Sequence, residues 1–266
     1  MGESVISSRA NARVKQLRAA FGGQARRSEG LVAIEGEHLV EEALRSGVSL
    51  KTVFLGERRG TPKGLPRGVE VIRLTEDLFR SVVETETPQG IAALMMPPVF
   101  GSEDVFGSGG SAALILVAAG LQDPGNLGTL IRSAEAFGAT GVLTTPGTVS
   151  AWNQKALRAS AGSVFRVPVI AIDVAEIAEL KDRGIRLLAA VGSGGTAVKD
   201  GDLVEACAVM IGNEGAGLSA ELMAMADAKV TIWCPGPVES LNAAVAGSLL
   251  LYEASWQRAF LRESKI

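Results

Sequence analysis

A chain of 266 residues, 47% hydrophobic and 21% charged, has the length and composition to bury a large core and is not a disordered polymer. One histidine, His38, and two widely spaced cysteines, Cys207 and Cys234, argue against a histidine-built metal site, a Ser-His-Asp triad and a zinc or disulfide framework, and make a reducing cytosol the expected compartment. The net charge of −3 speaks against nucleic acid only until its distribution is read: Arg9, Arg13, Lys15, Arg18, Arg26 and Arg27 face Glu3 and Glu29 in the first thirty residues, a local +4 that leaves −7 for the rest.

Residues 1–30 therefore read as a basic arm. Beyond it, 31–34 reads as a short strand and 37–45 as a helix carrying Leu39, Val40, Ala43 and Leu44, ended by Gly47. Strands follow at 53–55 and 69–74, then a helix capped by Thr75 with Leu78, Val82 and Val83 on one face, then a strand at 91–95. This is a small α/β domain, 31–97. Pro97-Pro98 and the Gly/Ser-rich stretch 101–111 predict a linker over 98–112. From 113 to 266 strand and helix signals alternate: strands at 114–118, 142–144, 167–172, 187–190, 208–211 and 230–232, and helices at 127–137, 153–159, 175–181, 220–225 and 241–260. Alternation with continuous apolar strands predicts an α/β domain on a parallel sheet. No apolar run approaches the roughly 20 residues that span a bilayer, and the N-terminus lacks a signal-peptide core, so a soluble, untargeted protein is expected.

Ligands of parallel sheets bind at the carboxyl ends of strands, which selects three loops. In the first, Pro124-Gly125 makes a turn, Asn126 is placed to cap a helix, and Arg132 follows six residues on. In the second, Gly212, Gly215 and Gly217 surround Glu214; the spacing matches neither a dinucleotide fingerprint nor a Walker loop, but it permits close backbone approach to a ligand. The third, Trp233-Cys234-Pro235-Gly236-Pro237, leads through Glu239, Ser240 and Asn242 to the N-terminus of the last helix, where free N–H groups favour electron-rich atoms. Each residue set also fits a plain cap or tight turn.

In order and spacing, NLGTLIRSAEAFG, IGNEGAGLS and PGPVESLNAAVAGSLLLYE together resemble the three motifs of the SpoU (TrmH-type) RNA 2′-O-ribose methyltransferases of the SPOUT superfamily. LVAIEGEHLVEEALRSGVSLKTVFL and TPQGIAAL resemble the family's small substrate-binding domain, of the ribosomal-protein L30e type, so the likeness covers nearly the whole chain. The resemblance implies a homodimeric, metal-free enzyme. It would bind S-adenosylmethionine in a deep trefoil knot, otherwise a rare topology, and methylate ribosomal or transfer RNA. It assigns the functional positions to Asn126, Arg132, Glu214, Ser240 and Asn242, and the cofactor contacts to Thr144, Gly212, Ile232 and Leu241. The chain departs at Trp233-Cys234, where the family often has Pro-Met. A guanidinium hardly gives up its proton in a protein and is a poor general base, so Arg132 is expected to clamp phosphate and orient the 2′-hydroxyl while the other four shape the site. RNA selection is expected from the small domain and from Arg9, Arg13, Lys15 and Arg18. With few aromatics, base stacking is not expected to be the main device. His38 reads as a surface or core residue of the small domain. Two rivals stay open: a SPOUT enzyme methylating a base nitrogen, which the Asn126/Arg132 and Ser240/Asn242 pairs disfavour, and a non-catalytic RNA-binding or ribosome-assembly protein.

Overall fold

The computed structural model describes residues 5–107, 112–238 and 240–260, which pack as two units. The first opens with strand β1 (Val5–Ile6) and helices α1 (Ala12–Phe21) and α2 (Gln24–Glu29). It continues with β2 (Val32–Glu35), α3 (Glu37–Arg45), β3 (Leu50–Gly56), β4 (Glu70–Leu74), α4 (Glu76–Val82) and β5 (Ile91–Met95). Its sheet runs β1-β4-β3-β5-β2, with β1, β4 and β3 parallel and β5 antiparallel to both β3 and β2.

The stretch expected to be an arm is folded into this unit. Val14, Leu17 and Phe21 recur at i, i+3 and i+7, the spacing of a buried helical stripe, and with Ala25 they join Phe54, Leu74, Phe79 and Leu94 in one core. Arg13, Lys15, Arg18, Arg26 and Arg27 take exposed positions on the same helices, and Arg9 is exposed in the turn before α1. Their charge dominates the composition and hides the apolar stripe beneath it.

The second unit contains β6 (Leu114–Ala118), α5 (Pro124–Ala136), β7 (Gly141–Thr144), β8 (Val169–Ala171), α7 (Val174–Glu179), β9 (Arg186–Ala190) and β10 (Thr196–Ala197). It ends with β11 (Cys207–Ile211), α8 (Ala220–Met225), β12 (Ala228–Thr231) and α9 (Ala243–Phe260). Helix α6 (Gln154–Ser160), between β7 and β8 in sequence, packs with the first unit instead. The Gln154 amide there is buried and donates to the Ala33 carbonyl at 2.8 Å, and Gly162, at φ +90°, lies so close to Glu42 that a Cβ would come within 2.5 Å. The single catalytic block expected over 113–266 is thus interrupted by 152–165, because a buried polar amide and a close-packed glycine fix that segment against β2 and α3.

All seven strands of the second sheet are parallel, in the order β10-β12-β9-β11-β6-β7-β8. The chain moves outward from β6 through β7 and β8, then returns to the other side of β6 at β9 and β11. That reversal is where a parallel sheet opens a crevice at its carboxyl edge. In the linker, Ser102–Phe106 forms a short 3-10 turn, and 108–111 lie outside the described residues. Among the described residues no helix is long and apolar enough to cross a membrane.

Candidate active site

A cavity of about 700 Å³ opens at the carboxyl ends of β9, β11 and β12 and is closed on one side by α9. Its size is that of a pocket for a cofactor-sized molecule. Val191, Ile211, Val230, Ile232, Leu241 and Leu250 give it an apolar wall, while Gly192, Gly194, Gly212, Gly215 and Gly217 present bare backbone. Gly212 is obligatory: a Cβ would sit 2.2 Å from the carbonyl carbon of Gly217, because the loop folds back on itself through paired Asn213 and Gly217 backbone bonds of 3.0 and 2.9 Å.

One hydrogen-bond chain joins the three loops. The Asn242 amide donates to Asn126 Oδ1 at 3.0 Å, and the Asn126 amide donates to Glu214 Oε1 at 2.9 Å. The backbone N–H groups of Gln122 and Asp123 also point at the Glu214 carboxylate, each at 3.4 Å. Burial pushes this carboxyl up, but the Asn126 amide and these N–H groups outweigh it and hold Glu214 below the usual carboxylate range. Glu214 is therefore an ionised acceptor at neutral pH, ordering the loops around it.

The caps differ from expectation. Asp123, not Asn126, caps α5, accepting from Gly125 N and Asn126 N at 2.5 and 3.0 Å, because Pro124 already occupies the first helical position. Asn126 is left free to bond outward. Asn242 caps α9 through Ala244 N and Val245 N at 2.9 and 3.2 Å; Glu239, considered as a cap, lies outside the described residues. Ser240 is exposed and lines the cavity. Arg132 projects exposed from α5, and its side chain has no hydrogen bond or ion pair among the described residues, which leaves its five donors available.

Of the cofactor positions, Gly212, Ile232 and Leu241 line the cavity and Thr144 does not. Thr144 ends β7, separated from β11 by β6, and its hydroxyl donates to the Ile170 carbonyl at 3.5 Å. Asn213, absent from the sequence-based set, is the main brace of the glycine loop: its amide donates to Gly120 O at 2.9 Å and its Oδ1 accepts from Gly215 N and Ala216 N at 2.9 and 3.0 Å. An Asn directly after a strand-end glycine is the available signal, since its side chain readily bonds the backbone two residues on. Arg9, Arg13, Lys15 and Arg18 are exposed on the first unit, with Arg13 paired to Glu70 at 2.9 Å, and His38 is exposed on α3.

The model of the SpoU rRNA Methylase family matches residues 113–252, and that of the MRM3-like substrate binding domain matches residues 11–93. The chain belongs to the SpoU rRNA methylase family. This SpoU protein is 37% identical to the 23S rRNA (guanosine(2553)-2′-O)-methyltransferase RlmP of Bacillus subtilis, over 93% of its own length and 97% of that relative's. Among solved structures it is similar to the SpoU methyltransferase AviRb of Streptomyces viridochromogenes in complex with AdoMet, with a TM-score of 0.81, 29% identity, and coverage of 94% of this chain and 99% of that one. An AdoMet-bound rRNA methyltransferase from Sinorhizobium meliloti matches at a TM-score of 0.83 and 27% identity, over 97% and 98% of the two chains. The SpoU cavity fits that donor on its own geometry: an apolar wall for a purine and ribose, and a tight backbone loop that Gly212 keeps closed, because a Cβ there would strike Gly217. Among the described residues no cluster of metal-ligating side chains occurs.

Proposed function

We propose that this protein transfers the methyl group of S-adenosylmethionine to a ribose 2′-hydroxyl of structured RNA, ribosomal rather than transfer RNA. The observation that carries the reading is the Asn242–Asn126–Glu214 chain, which draws all three loops together at the mouth of a glycine-walled cavity. When bound, S-adenosylmethionine supplies an electrophilic methyl on sulfur, so the protein's task is chiefly to position the acceptor oxygen. Gly212, Ile232 and Leu241 hold the donor. Arg132, with its guanidinium donors unengaged, clamps the phosphate beside the target ribose and orients its hydroxyl. Glu214 holds the loops, and Ser240 and Asn242 shape the entrance.

Supporting features extend the proposal. The 2′-O-methyltransferase RlmP, matched over nearly its full length, favours a ribosomal target. The exposed cations of α1 and α2 supply a phosphate-binding surface on the substrate-binding unit. Val245, Leu249, Tyr252 and Trp256 form an exposed apolar stripe along α9, suited to a second copy of the chain in a homodimer. The interleaved order, with β11 inserted between β6 and β9 and β12 beyond β9, accords with a trefoil knot around the cavity. A ribosomal substrate supports a cytoplasmic location, with which the free thiols of Cys207 and Cys234 accord.

Mapping 2′-O-methyl positions in total RNA from cells with and without the gene tests this reading. One ribosomal position should lose its methyl group; loss of a base methylation, or no loss at all, overturns it. Single-turnover rates on that RNA should fall by at least about 100-fold in Arg132→Ala, in line with removal of a transition-state charge contact. A near wild-type rate in that variant would remove the role given to Arg132.

A further inference from the structure

Trp233 is the most exposed aromatic side chain among the described residues, at 77%, yet it lines the same cavity as Glu214 and Ser240. No described residue stacks on its ring or accepts from its indole N–H, whereas two other exposed aromatics are engaged, Tyr252 with Phe137 and Trp256 with Phe260. A wall that served only a molecule inside the cavity would have most of its surface turned inward. With about three quarters of its surface in solvent, this indole is shaped to meet something that extends beyond the cavity rim.

A second subunit is the less suitable cover. The α9 residues that line the cavity, Ala243, Ala246 and Leu250, lie roughly 120° around the helix from the exposed stripe of Val245, Leu249, Tyr252 and Trp256, at 100° per residue. The stripe open to another copy therefore faces away from the cavity wall that α9 itself forms. An acceptor that reaches a donor held in this cavity has to pass its rim. Every nucleobase offers a π-face, and an indole is the largest stacking surface a side chain provides.

We infer that Trp233 is a stacking platform for the nucleobase of the nucleotide whose ribose is methylated, setting that sugar in register with the donor. The inference rests on the RNA-methylation reading above. Trp233 touches substrate but not the reacting atoms, so its loss should act on RNA binding more than on donor binding.

The test uses full-length protein labelled with 5-fluorotryptophan, which has three tryptophans; the ¹⁹F resonance missing in Trp233→Phe is that of Trp233. That resonance should keep its position with S-adenosylhomocysteine alone and shift when rRNA from cells lacking the gene is added. A shift with S-adenosylhomocysteine but not RNA would make Trp233 a cofactor wall, a shift only with protein concentration would place it in a subunit contact, and no shift would leave it without a ligand. Each overturns the inference. In steady-state assays Trp233→Ala should raise KM for RNA by about 10- to 100-fold, leave KM for S-adenosylmethionine within about twofold, and be largely rescued by Trp233→Phe. An RNA with an abasic ribose at the mapped target should weaken wild type by a similar factor and leave Trp233→Ala nearly unaffected. If wild type methylates no ribose, the proposed function fails. If wild type is active and Trp233→Ala matches it on RNA, this inference alone fails.

Discussion

At the scale of single residues, the cavity depends on one position with no side chain and one with a fixed charge. In Gly212→Ala the added methyl would meet the backbone of Gly217 and Leu218, at 2.2 and 2.3 Å, rather than a movable side-chain tip. Overpacking of this kind costs about 1 to 3 kcal/mol, and here relief means opening the loop that forms the cofactor wall. Calorimetry should show S-adenosylmethionine affinity reduced by at least about 10-fold, with the far-ultraviolet circular dichroism unchanged; undiminished affinity would show that the loop does not contact the cofactor. Glu214 makes a prediction in pH. Its folded carboxyl titrates below the ordinary value of about 4.3, so the stability it confers is complete above that value and lost as pH falls through the lower folded pKa. Thermal unfolding of wild type and Glu214→Gln should differ by a constant margin from pH 7 down to the ordinary carboxylate range and converge as pH falls on through the lowered folded pKa. Convergence near neutrality would contradict the hydrogen-bond arrangement described for this carboxylate.

At the scale of elements, α9 serves several surfaces, and its C-terminal turn fastens it to the sheet. The Arg258 guanidinium donates to the carbonyls of Leu203, Ala113 and Glu205 at 2.8, 3.0 and 2.9 Å, and reaches Ala112 O at 2.5 Å. Next to it, buried Gln257 accepts from Leu203 N at 3.0 Å and donates to Val198 O at 3.3 Å. Arg258→Met would keep most of the stem and lose all these donors, so it should lower stability by about 1.5 to 3 kcal/mol, the range for a hydrogen bond to a charged group. Urea unfolding should show a lower midpoint at unchanged slope. This anchoring could not be read from sequence, because its acceptors are backbone carbonyls some fifty and a hundred and forty-five positions away. What could be read was local. Helix Glu37–Arg45 and strands Ile91–Met95 and Leu114–Ala118 fall where apolar pattern and flanking turn residues placed them. Helices α1 and α2 were hidden by their own cations, and the cap of α5 moved from Asn126 to Asp123 because the proline at its first position sets the boundary.

At the scale of the whole molecule, the strand order assembles a site from residues more than a hundred positions apart, which motif order could signal but local pattern could not. Asn126, Glu214 and Asn242 meet because β6 and β11 are neighbours and α9 packs on α5, where Gly247 admits Leu130. Thr144 stands outside the cavity because β7 lies on the far side of β6 from β11, β9 and β12, whose ends form it. Charge is likewise a property of the assembled unit. Apart from Arg9, in the turn before α1, the cations of 1–30 ride on helices bound to the first unit's core, so they form a fixed surface and not a tether. Arg9, Lys15 and Arg18 have no side-chain hydrogen bond or ion pair among the described residues, whereas Arg13 is held by Glu70. Three exposed cations that each neutralise one phosphate contribute about 0.7 to 0.9 each to the slope of log K against log salt. Replacing Arg9, Lys15 and Arg18 together by glutamine should therefore flatten that slope by about 2 for rRNA binding, while Arg13→Gln alone changes it by clearly less than one. Melting temperature should stay close to wild type in the triple variant, because these side chains are exposed and break no pair when removed. An unchanged slope would move the phosphate-binding surface off these helices, even if methylation itself were intact.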